Sequence, residues 1–410
     1  MSGPLGLDPE TLNSCVQCGL CLPHCPTWRS TGEEARSPRG RIDAMRSVEQ
    51  GAEPVDAGFA EVIDSCVGCM ACETACPSSV EYGRLLEGTR NVLAGTGATV
   101  PAWQRRALSL LERPALLRTG VRMTALAQRL AAALTAQPAS LANLPALPIR
   151  QEPLRSTGSD VVLLTGCVMD ASMRDVHASA VRLLGAAGFG VQVQSDTVAD
   201  GRCCGALAAH RGLAAMAEGQ LGRLAEGLPS GVPVLSDSAG CCAAIHEAAA
   251  RRGADPLVRD LARRTEDVGA FLFRHVERLP PPPPGPLPVV ALAVPCHMRN
   301  VLGADVADAV AGLLGRYCDV RSTADDDLCC GAGGSHSVLR PHEASMIRDR
   351  KVEALSHTGA TVVASANPGC IMSLRSGGVA VSHPVQIIDG VLSGAPVRSG
   401  SGSRTTGEGR

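Results

Sequence analysis

Four short apolar runs, 161–168 (VVLLTGCV), 232–241 (VPVLSDSAGC), 288–296 (PVVALAVPC) and 360–370 (ATVVASANPGC), each reach a cysteine at or near their end. Apolar runs of this length, closed by turn residues, predict buried strands. Between them, stretches rich in Ala, Leu and Arg predict helices over 171–187, 206–226, 301–316 and 340–356. Strands alternating with helices predict α/β units. In open α/β sheets ligands bind beyond the carboxyl ends of the strands, which is where these cysteines fall. Residues 35–50 and 84–135 read as helices with no convincing strand. The expected fold class is therefore α+β multidomain, with an α-helical N-terminal part followed by two repeated α/β units.

Internal repetition sharpens this plan. Residues 15–26 (CVQCGLCLPHCP) and 66–77 (CVGCMACETACP) are two copies of C-x2-C-x2-C-x3-C-P. Downstream, one copy of a second repeat holds Cys167, CCGALAAH at 203–210 and Cys241; the other holds Cys296, CCGAGGSH at 329–336 and Cys370. Each also carries an Asp three residues before its Cys pair (Asp200, Asp326) and a His six after it (His210, His336). The predicted organisation is a helical domain over 1–100, a helical connector and linker over 101–158, one cysteine-rich domain over 159–279, a proline-rich spacer over 280–287, a second cysteine-rich domain over 288–392 and a disordered tail over 393–410.

Composition adds one abnormal number. Among 410 residues are eighteen cysteines. A secreted disulfide scaffold is the first reading of such a count, but those chains are usually too short to build a core. This chain is long enough for several domains, and its cysteines are clustered as ligands are. MSGPLGLDPETLNS lacks a basic segment followed by an apolar run, so no secretory signal is expected. No stretch approaches the apolar length of a spanning helix. A cytoplasmic location is expected, peripheral at a membrane at most, where metal binding or redox chemistry accounts for thiols better than disulfides. The formal net charge of −2 makes no case for nucleic acid.

The first cysteine set carries specific chemistry. Three closely spaced thiolates hold three irons of a cubane, and the fourth, after a longer step, reaches the other cluster of a two-cluster protein. On that logic one [4Fe–4S] cluster takes Cys15, Cys18, Cys21 and Cys76, and the other takes Cys66, Cys69, Cys72 and Cys25. Gly19 and Gly68 allow tight turns beside the clusters. Zinc is the alternative for paired C-x2-C sites, but two identical runs of four, each followed by Pro, weigh against it. Arg29, Arg36, Arg39 and Arg41 are candidates to tune the potentials, or ordinary surface charges. Arg105, Arg106, Arg113, Arg118, Arg122 and Arg129 lie among leucines, a pattern that suits an amphipathic helix packed on its neighbour better than one on a membrane.

In the second set, Cys167, Cys203, Cys204 and Cys241 form one candidate quartet and Cys296, Cys329, Cys330 and Cys370 the other. They could hold a further cluster or zinc, or form a structural thiol cage. Adjacent cysteines can serve one compact site only on an irregular loop, which Gly205 and Gly331 allow. Cys242 is extra, and Cys318 reads as a buried inert thiol. His210 and His336 read as extra ligands, proton carriers or helix caps; His24, His177, His246 and His297 read as ordinary structural histidines.

CVQCGLCLPHCPTWRSTGEEARSPRGRI and CVGCMACETACPSSVEYGRLLEGTR resemble the iron–sulfur subunits of bacterial glycolate oxidase (glycolate dehydrogenase). The downstream repeats resemble the CCG domains shared with heterodisulfide reductase and anaerobic glycerol-3-phosphate dehydrogenase subunits. The resemblance implies an iron–sulfur electron-transfer subunit with two [4Fe–4S] clusters. FAD-containing partner subunits would oxidise glycolate, or D-lactate in its place, and this chain would relay electrons to an acceptor such as quinone. It would be a subunit of an oxidoreductase complex, not catalytic alone. The alternative is a heterodisulfide-reductase-like, or glycerol-3-phosphate or lactate dehydrogenase, subunit with redox-active CCG sites. One departure counts against disulfide chemistry: the last element is Cys241-Cys242 in one copy and a lone Cys370 in the other, where heterodisulfide reductases often carry C-x-x-C. In accord with a relay role, no dinucleotide fingerprint stands at the first strand–helix turn.

Overall fold

The computed structural model describes residues 3–133, 147, 148, 153–197, 203–323 and 325–395. Asp200, most of the linker over 137–158 and residues 396–410 of the tail lie outside them.

The N-terminal part is helical, as its sequence predicts. Proline opens three of its helices, Pro9–Asn13, Pro26–Thr31 and Pro38–Glu49, at the position where its missing N–H costs nothing. Asp8, Ser37 and Asp56 cap helix starts with side-chain oxygens that accept backbone N–H groups, which satisfies donors the helix itself leaves free. Ile42, Met45, Ile63, Leu86 and Leu93 form the shared core of these helices. The predicted helical region 84–135 is broken before Pro101 and Pro114, giving Tyr82–Gly95, Ala102–Ser109 and Pro114–Ala133. The last of these packs against helix Val168–Ser172, burying Ala125 and bringing Arg118 within 4.0 Å of Asp170. It is an amphipathic helix on a neighbour.

Two four-stranded parallel sheets follow. β1 (Val161–Leu164), β2 (Val191–Val193), β3 (Val234–Ser236) and β4 (Thr265–Asp267) form the first, and β5 (Val289–Leu292), β6 (Asp319–Arg321), β7 (Val362–Ala364) and β8 (Val381–Ser382) the second. Their orders, β2-β1-β3-β4 and β6-β5-β7-β8, are the same. The four strands predicted from sequence are the inner pair of each sheet. The four that were not are edge strands of two or three residues, several with polar side chains (TED, DVR). An edge strand has one neighbour and needs no continuous apolar run.

Two sequence expectations are corrected. The runs at 232–241 and 360–370 are not strands up to their cysteines: the strands stop at Ser236 and Ala364. Cys241 lies in the first turns of helix Ala239–Ala250 and Cys370 in those of Pro368–Ser376. Ser238 starts the former by accepting the Cys241 N–H, and Pro368 starts the latter. The helix predicted over 206–226 is also two, Ala206–His210 and Ala214–Gly227. Between them Gly212 has φ +71°, and a Cβ there would stand 2.2 Å from the Arg90 carbonyl oxygen. The break lets the first sheet unit seat closely on the N-terminal helices.

The two sheet units share one core. Leu163, Leu184 and Leu272 of the first join Leu313, Ile371 and Ile388 of the second in a single apolar cluster. The Ala239 N–H donates to the Ala366 carbonyl at 3.0 Å, so the chain leaving β3 touches the chain leaving β7. Ion pairs tie the N-terminal part to both units: Arg29 to Asp325, Arg36 to Glu343, Arg340 to Glu61 and Asp64 to Arg211.

Candidate metal centres

Each Cys-Val-x-Cys-x loop of the N-terminal part needs two residues with left-handed backbone. In the first they are Gln17 (φ 56°) and Gly19 (φ 83°); in the second, Gly68 (φ 68°) and Met70 (φ 59°). Each copy thus places glycine at one position and tolerates a side chain at the other, at roughly 1–3 kcal/mol. Gln17 is held there by Arg39, which donates to its carbonyl at 3.1 Å, and by its own amide donating to Asp43 at 3.0 Å. A side chain at Gly19 would be strained by its φ of +83°, while the Arg39 guanidinium, 2.8 Å from where a Cβ would stand, is the far end of a flexible side chain. Strain held in place by surrounding structure clusters at functional sites.

Cys25 does not simply stay with its own motif. It is buried, its Sγ lies 3.2 Å from Thr27 Oγ1, and its charge acts on Cys69 and Cys72 as well as on Cys21. Burial and this crowding of thiols push Cys69 and Cys72 well above the ordinary thiol range. Burial also pushes Cys66 up, but Arg41 and Arg90 outweigh it and hold that thiol below the ordinary value. The Gly68 N–H and Tyr82 hydroxyl donate to Cys66 Sγ at 3.4 and 3.5 Å.

The four arginines singled out between the motifs, Arg29, Arg36, Arg39 and Arg41, have separate fates. Arg29 and Arg36 are ion-paired to Asp325 and Glu343 of the second sheet unit. Arg39 braces the first loop. Arg41 alone is fully buried. It donates to the Val62 carbonyl, Thr27 Oγ1 and Ser65 Oγ, and among the described residues no carboxylate pairs with it. The groups that favour its charge, against burial, are Cys66, Tyr82 and Cys25. A buried cation without a counter-charge is very costly. The groups placed to supply one are the Cys66 and Cys25 sulfurs and the Tyr82 hydroxyl.

In each sheet the chain leaves the first strand for one side and returns on the other, so the topological switch lies between β1 and β3, and between β5 and β7. Cys167 follows β1, Cys241 follows β3, Cys296 follows β5 and Cys370 follows β7. The Cys203-Cys204 and Cys329-Cys330 pairs swing in on loops whose turns are Gly205 (φ 80°) and Gly331 (φ 76°). A Cβ at either glycine would collide with backbone of the second helix downstream, 2.6 Å from Ala217 O or 2.4 Å from Ala344 O. In the first quartet Cys167 Sγ lies 3.6 Å from Cys203 Sγ, and Cys204 contacts both Cys203 and Cys241. In the second, contacts run Cys296–Cys329–Cys330, and Cys330 Sγ lies 2.9 Å from Cys370 Sγ. Each quartet converges. Among the described residues, however, no three His, Cys, Asp or Glu side chains are arranged around a single-ion site.

Both quartets line one cavity of about 180 Å³. Val67 of the second N-terminal loop reaches into the same cavity, and Cys69 lies beside Cys296 and Cys329. Asn300 fixes that contact by donating to the Cys69 carbonyl at 2.8 Å. Neither Cys242 nor Cys318 lines the cavity. Cys242 is buried beside Asp267 and Glu266, and Cys318 lies in the apolar core, where burial pushes its thiol up to about 12.

The histidines divide as well. His210 lines the cavity with its ring centroid 5.4 Å from that of His297; burial holds it neutral, down to about 3. His336 is buried at the start of helix His336–Leu339 and pushed down to about 4. His246 Nε2 lies 3.0 Å from the Thr265 carbonyl and His24 3.8 Å from Asp327. His177 is fully buried, its Nδ1 2.5 Å from Asp237 Oδ2, and Asp237 lines the cavity. His177 and His297, structural by their sequence context, thus stand at or next to the cavity. Tyr82 and Arg90 reach Cys66, and Asn300 reaches Cys69, from outside those cysteines' own motif, and no local motif marks them.

Comparison with known proteins matches the same cysteine-bearing segments of the chain. A family model described as a 4Fe-4S dicluster domain matches residues 11–80, and one described as a cysteine-rich domain matches 161–245 and 290–375. The glycolate oxidase iron-sulfur subunit of Escherichia coli (strain K12) is 30% identical over 407 residues, covering 93% of this chain and 94% of the relative. The probable glycolate oxidase iron-sulfur subunit of Bacillus subtilis (strain 168) is 28% identical over 415 residues, 90% of each chain. A fumarate reductase (CoM/CoB) subunit of Methanothermobacter marburgensis is 22% identical, covering 93% of this chain and 73% of the relative.

Proposed function

The chain belongs to the glycolate oxidase iron–sulfur subunit family, and we propose that it is the electron relay between a flavoprotein partner that oxidises glycolate, or a related 2-hydroxy acid, and an acceptor such as quinone. It binds 4Fe–4S clusters. Our reading is that there are two in the N-terminal part, one held by Cys15, Cys18, Cys21 and Cys76 and one by Cys66, Cys69, Cys72 and Cys25. When bound, such clusters store and pass single electrons. The chain's own residues hold the thiolates, keep water from Cys25 and Cys66, and supply the positive charge of Arg41 and Arg90. The observation that carries this reading is Arg41, a buried cation facing Cys25 and Cys66 with no carboxylate partner among the described residues.

For the downstream quartets we favour a further cluster over zinc. A structural zinc site needs four donors at about 2.1–2.3 Å from one point, and among the described residues no three His, Cys, Asp or Glu side chains are placed to hold a single ion. No helix among the described residues is long and apolar enough to cross a membrane, so a membrane-borne acceptor would be met peripherally, through the complex.

Anaerobic reconstitution, iron and sulfide analysis and EPR test the reading. We expect about eight irons in two N-terminal clusters, and glycolate oxidation only when the flavoprotein is added. Absence of paired [4Fe–4S] signals, or glycolate oxidation by this chain alone, would overturn it. A second reading, disulfide reduction at the quartets, is favoured by the one cavity they share; loss of a disulfide-reductase activity in Cys204→Ala or Cys330→Ala, with the N-terminal clusters intact, would establish it.

A further inference from the structure

The two sheet units differ at a buried pair. His177, ten residues after Cys167, and Asp237, four before Cys241, are 0% and 1% exposed, and His177 Nδ1 lies 2.5 Å from Asp237 Oδ2. Counted in the same way from Cys296 and Cys370, the second unit carries Val306 and Ala366, which share one apolar cluster. The fold therefore does not require an ionisable pair at this position, and burying one is costly. Nor does the structure use up its polar atoms: among the described residues Asp237 Oδ1 and His177 Nε2 have no hydrogen-bond partner. Asp237 is held by its main chain, whose carbonyl lies 3.0 Å from His383 Nε2, and it lines the cavity between the quartets.

That cavity, of about 180 Å³, is where a small molecule can meet both quartets. Cys167, Cys241 and Cys296 on its wall are only partly buried, so it communicates with solvent. Leu164, Met169, Leu207 and Met372 give it an apolar wall, and Asp237 and His297 are polar points on it. Apolar walls with a few converging polar groups are the common form of a small-molecule site. We propose that the cavity takes the head group of the quinone acceptor, and that Asp237, supplied with a proton by His177 behind it, protonates the quinone as it is reduced. This rests on the relay reading above and adds where the acceptor sits and where its proton comes from.

A quinone becomes a hydroquinone by gaining two electrons and two protons. The relay supplies the electrons singly. One proton passes from His177 Nδ1 to the Asp237 carboxyl and on to a quinone oxygen, where an O–H bond forms; the other comes from water at the cavity mouth. The imidazole lone pair then faces a carboxylate across 2.5 Å, an arrangement that takes a proton back from water. Burial pushes His177 down, but the Asp237 charge and hydrogen bond outweigh it and raise it above its ordinary value. The other charged or titratable groups facing the pair are Asp170 and Arg174, ion-paired to each other at 2.8 Å, Asp267 at the end of β4, and His383, which burial pushes down to about 4.

The test follows the reconstituted full chain, reduced beforehand with dithionite, as it is reoxidised by a water-soluble quinone or by ferricyanide, which takes electrons without protons. In the wild type the quinone reaction should slow as pH rises through the His177 titration and slow again in deuterium oxide; the ferricyanide reaction should do neither. Asp237→Asn and His177→Gln should react with quinone about a hundredfold more slowly at about pH 6, as loss of a general acid does. They should also lose the pH and isotope dependence, and keep the wild-type iron content, EPR spectra and ferricyanide rate. Asp237→Glu should recover part of the rate together with its pH dependence. Leu207→Trp, which narrows the cavity, should raise the quinone concentration needed for half the maximal rate; no change there would remove the quinone from the cavity. Wild-type quinone rates in Asp237→Asn and His177→Gln, or slower rates that keep the wild-type pH profile and isotope effect, would overturn the proton role. So would a wild-type quinone reaction indifferent to pH and isotope, a result that needs no variant. Failure of the relay reading is distinguishable: the reduced wild type would then not react with quinone at any pH.

Discussion

Replacing Arg41 by Leu tests the electrostatics of the second N-terminal site. Arg41 Nη2 is 3.2 Å from Thr27 Oγ1, and Thr27 Oγ1 is 3.2 Å from Cys25 Sγ, so guanidinium and sulfur lie within about 6.4 Å of each other. At an effective dielectric constant of about 20, unit charges at that separation interact by about 2.6 kcal/mol. Adding an electron to a group held there gains that interaction once. With about 1.36 kcal/mol per tenfold in equilibrium and 59 mV per tenfold for one electron, Arg41→Leu should lower the reduction potential by about 110 mV. Arg41→Lys keeps the charge and loses only the fork of donors, and should lower it by less than half as much. The assay is an EPR-monitored redox titration of the reconstituted chain, with iron content as the control for an intact site. A fall below about 30 mV in Arg41→Leu, or equal falls in the two variants, would refute the reasoning.

Cys25→Ser should abolish the same EPR signal as Cys69→Ser and leave the one lost in Cys18→Ser, with about four irons missing; loss of the Cys18-dependent signal instead would reverse the ligand sets. Leu163→Ala, in the core common to both sheets, should cost about 2–5 kcal/mol and lower a single melting transition; two transitions moving apart would show that the units are stabilised separately. Burial pushes the Asp267 carboxyl up to about 7 from its ordinary 3.8, with Asp237 and Glu266 adding to the shift against the N–H groups of Gly269 and Ala270. The folded chain then keeps a proton that the unfolded chain releases above about pH 4, so this group's contribution to stability falls as pH rises from about 4 to about 7 and is level beyond, by up to about 4 kcal/mol. Asp267→Asn should flatten that slope in urea denaturation at pH 5 and pH 7.5, and an unaltered slope would exclude the group as its source.

The sixteen cysteines assigned to sites could be read from sequence because ligand spacing is local: C-x2-C-x2-C-x3-C-P carries its chemistry within twelve residues. The inner strands were legible for a related reason, since a strand covered on both sides must be apolar throughout. Edge strands such as TED at 265–267 carry no such requirement and were not. Gln17 and Met70 were invisible because side chains other than glycine do not advertise left-handed backbone. Arg29, Arg36, Arg39 and Arg41 are alike in sequence, four arginines within thirteen residues. Two became staples to the second sheet unit, one braced a loop, and one was buried beside Cys25 and Cys66. Sequence by itself determined which cysteines could be ligands, the repeated α/β plan and the helical N-terminal part. Tertiary structure decided that Cys25 approaches the second motif, that both quartets open on one cavity, and that Cys18 alone faces solvent. Those facts depend on burial and on contacts between distant segments, and the cost of burying an unpaired charge decides which arginine belongs beside sulfur.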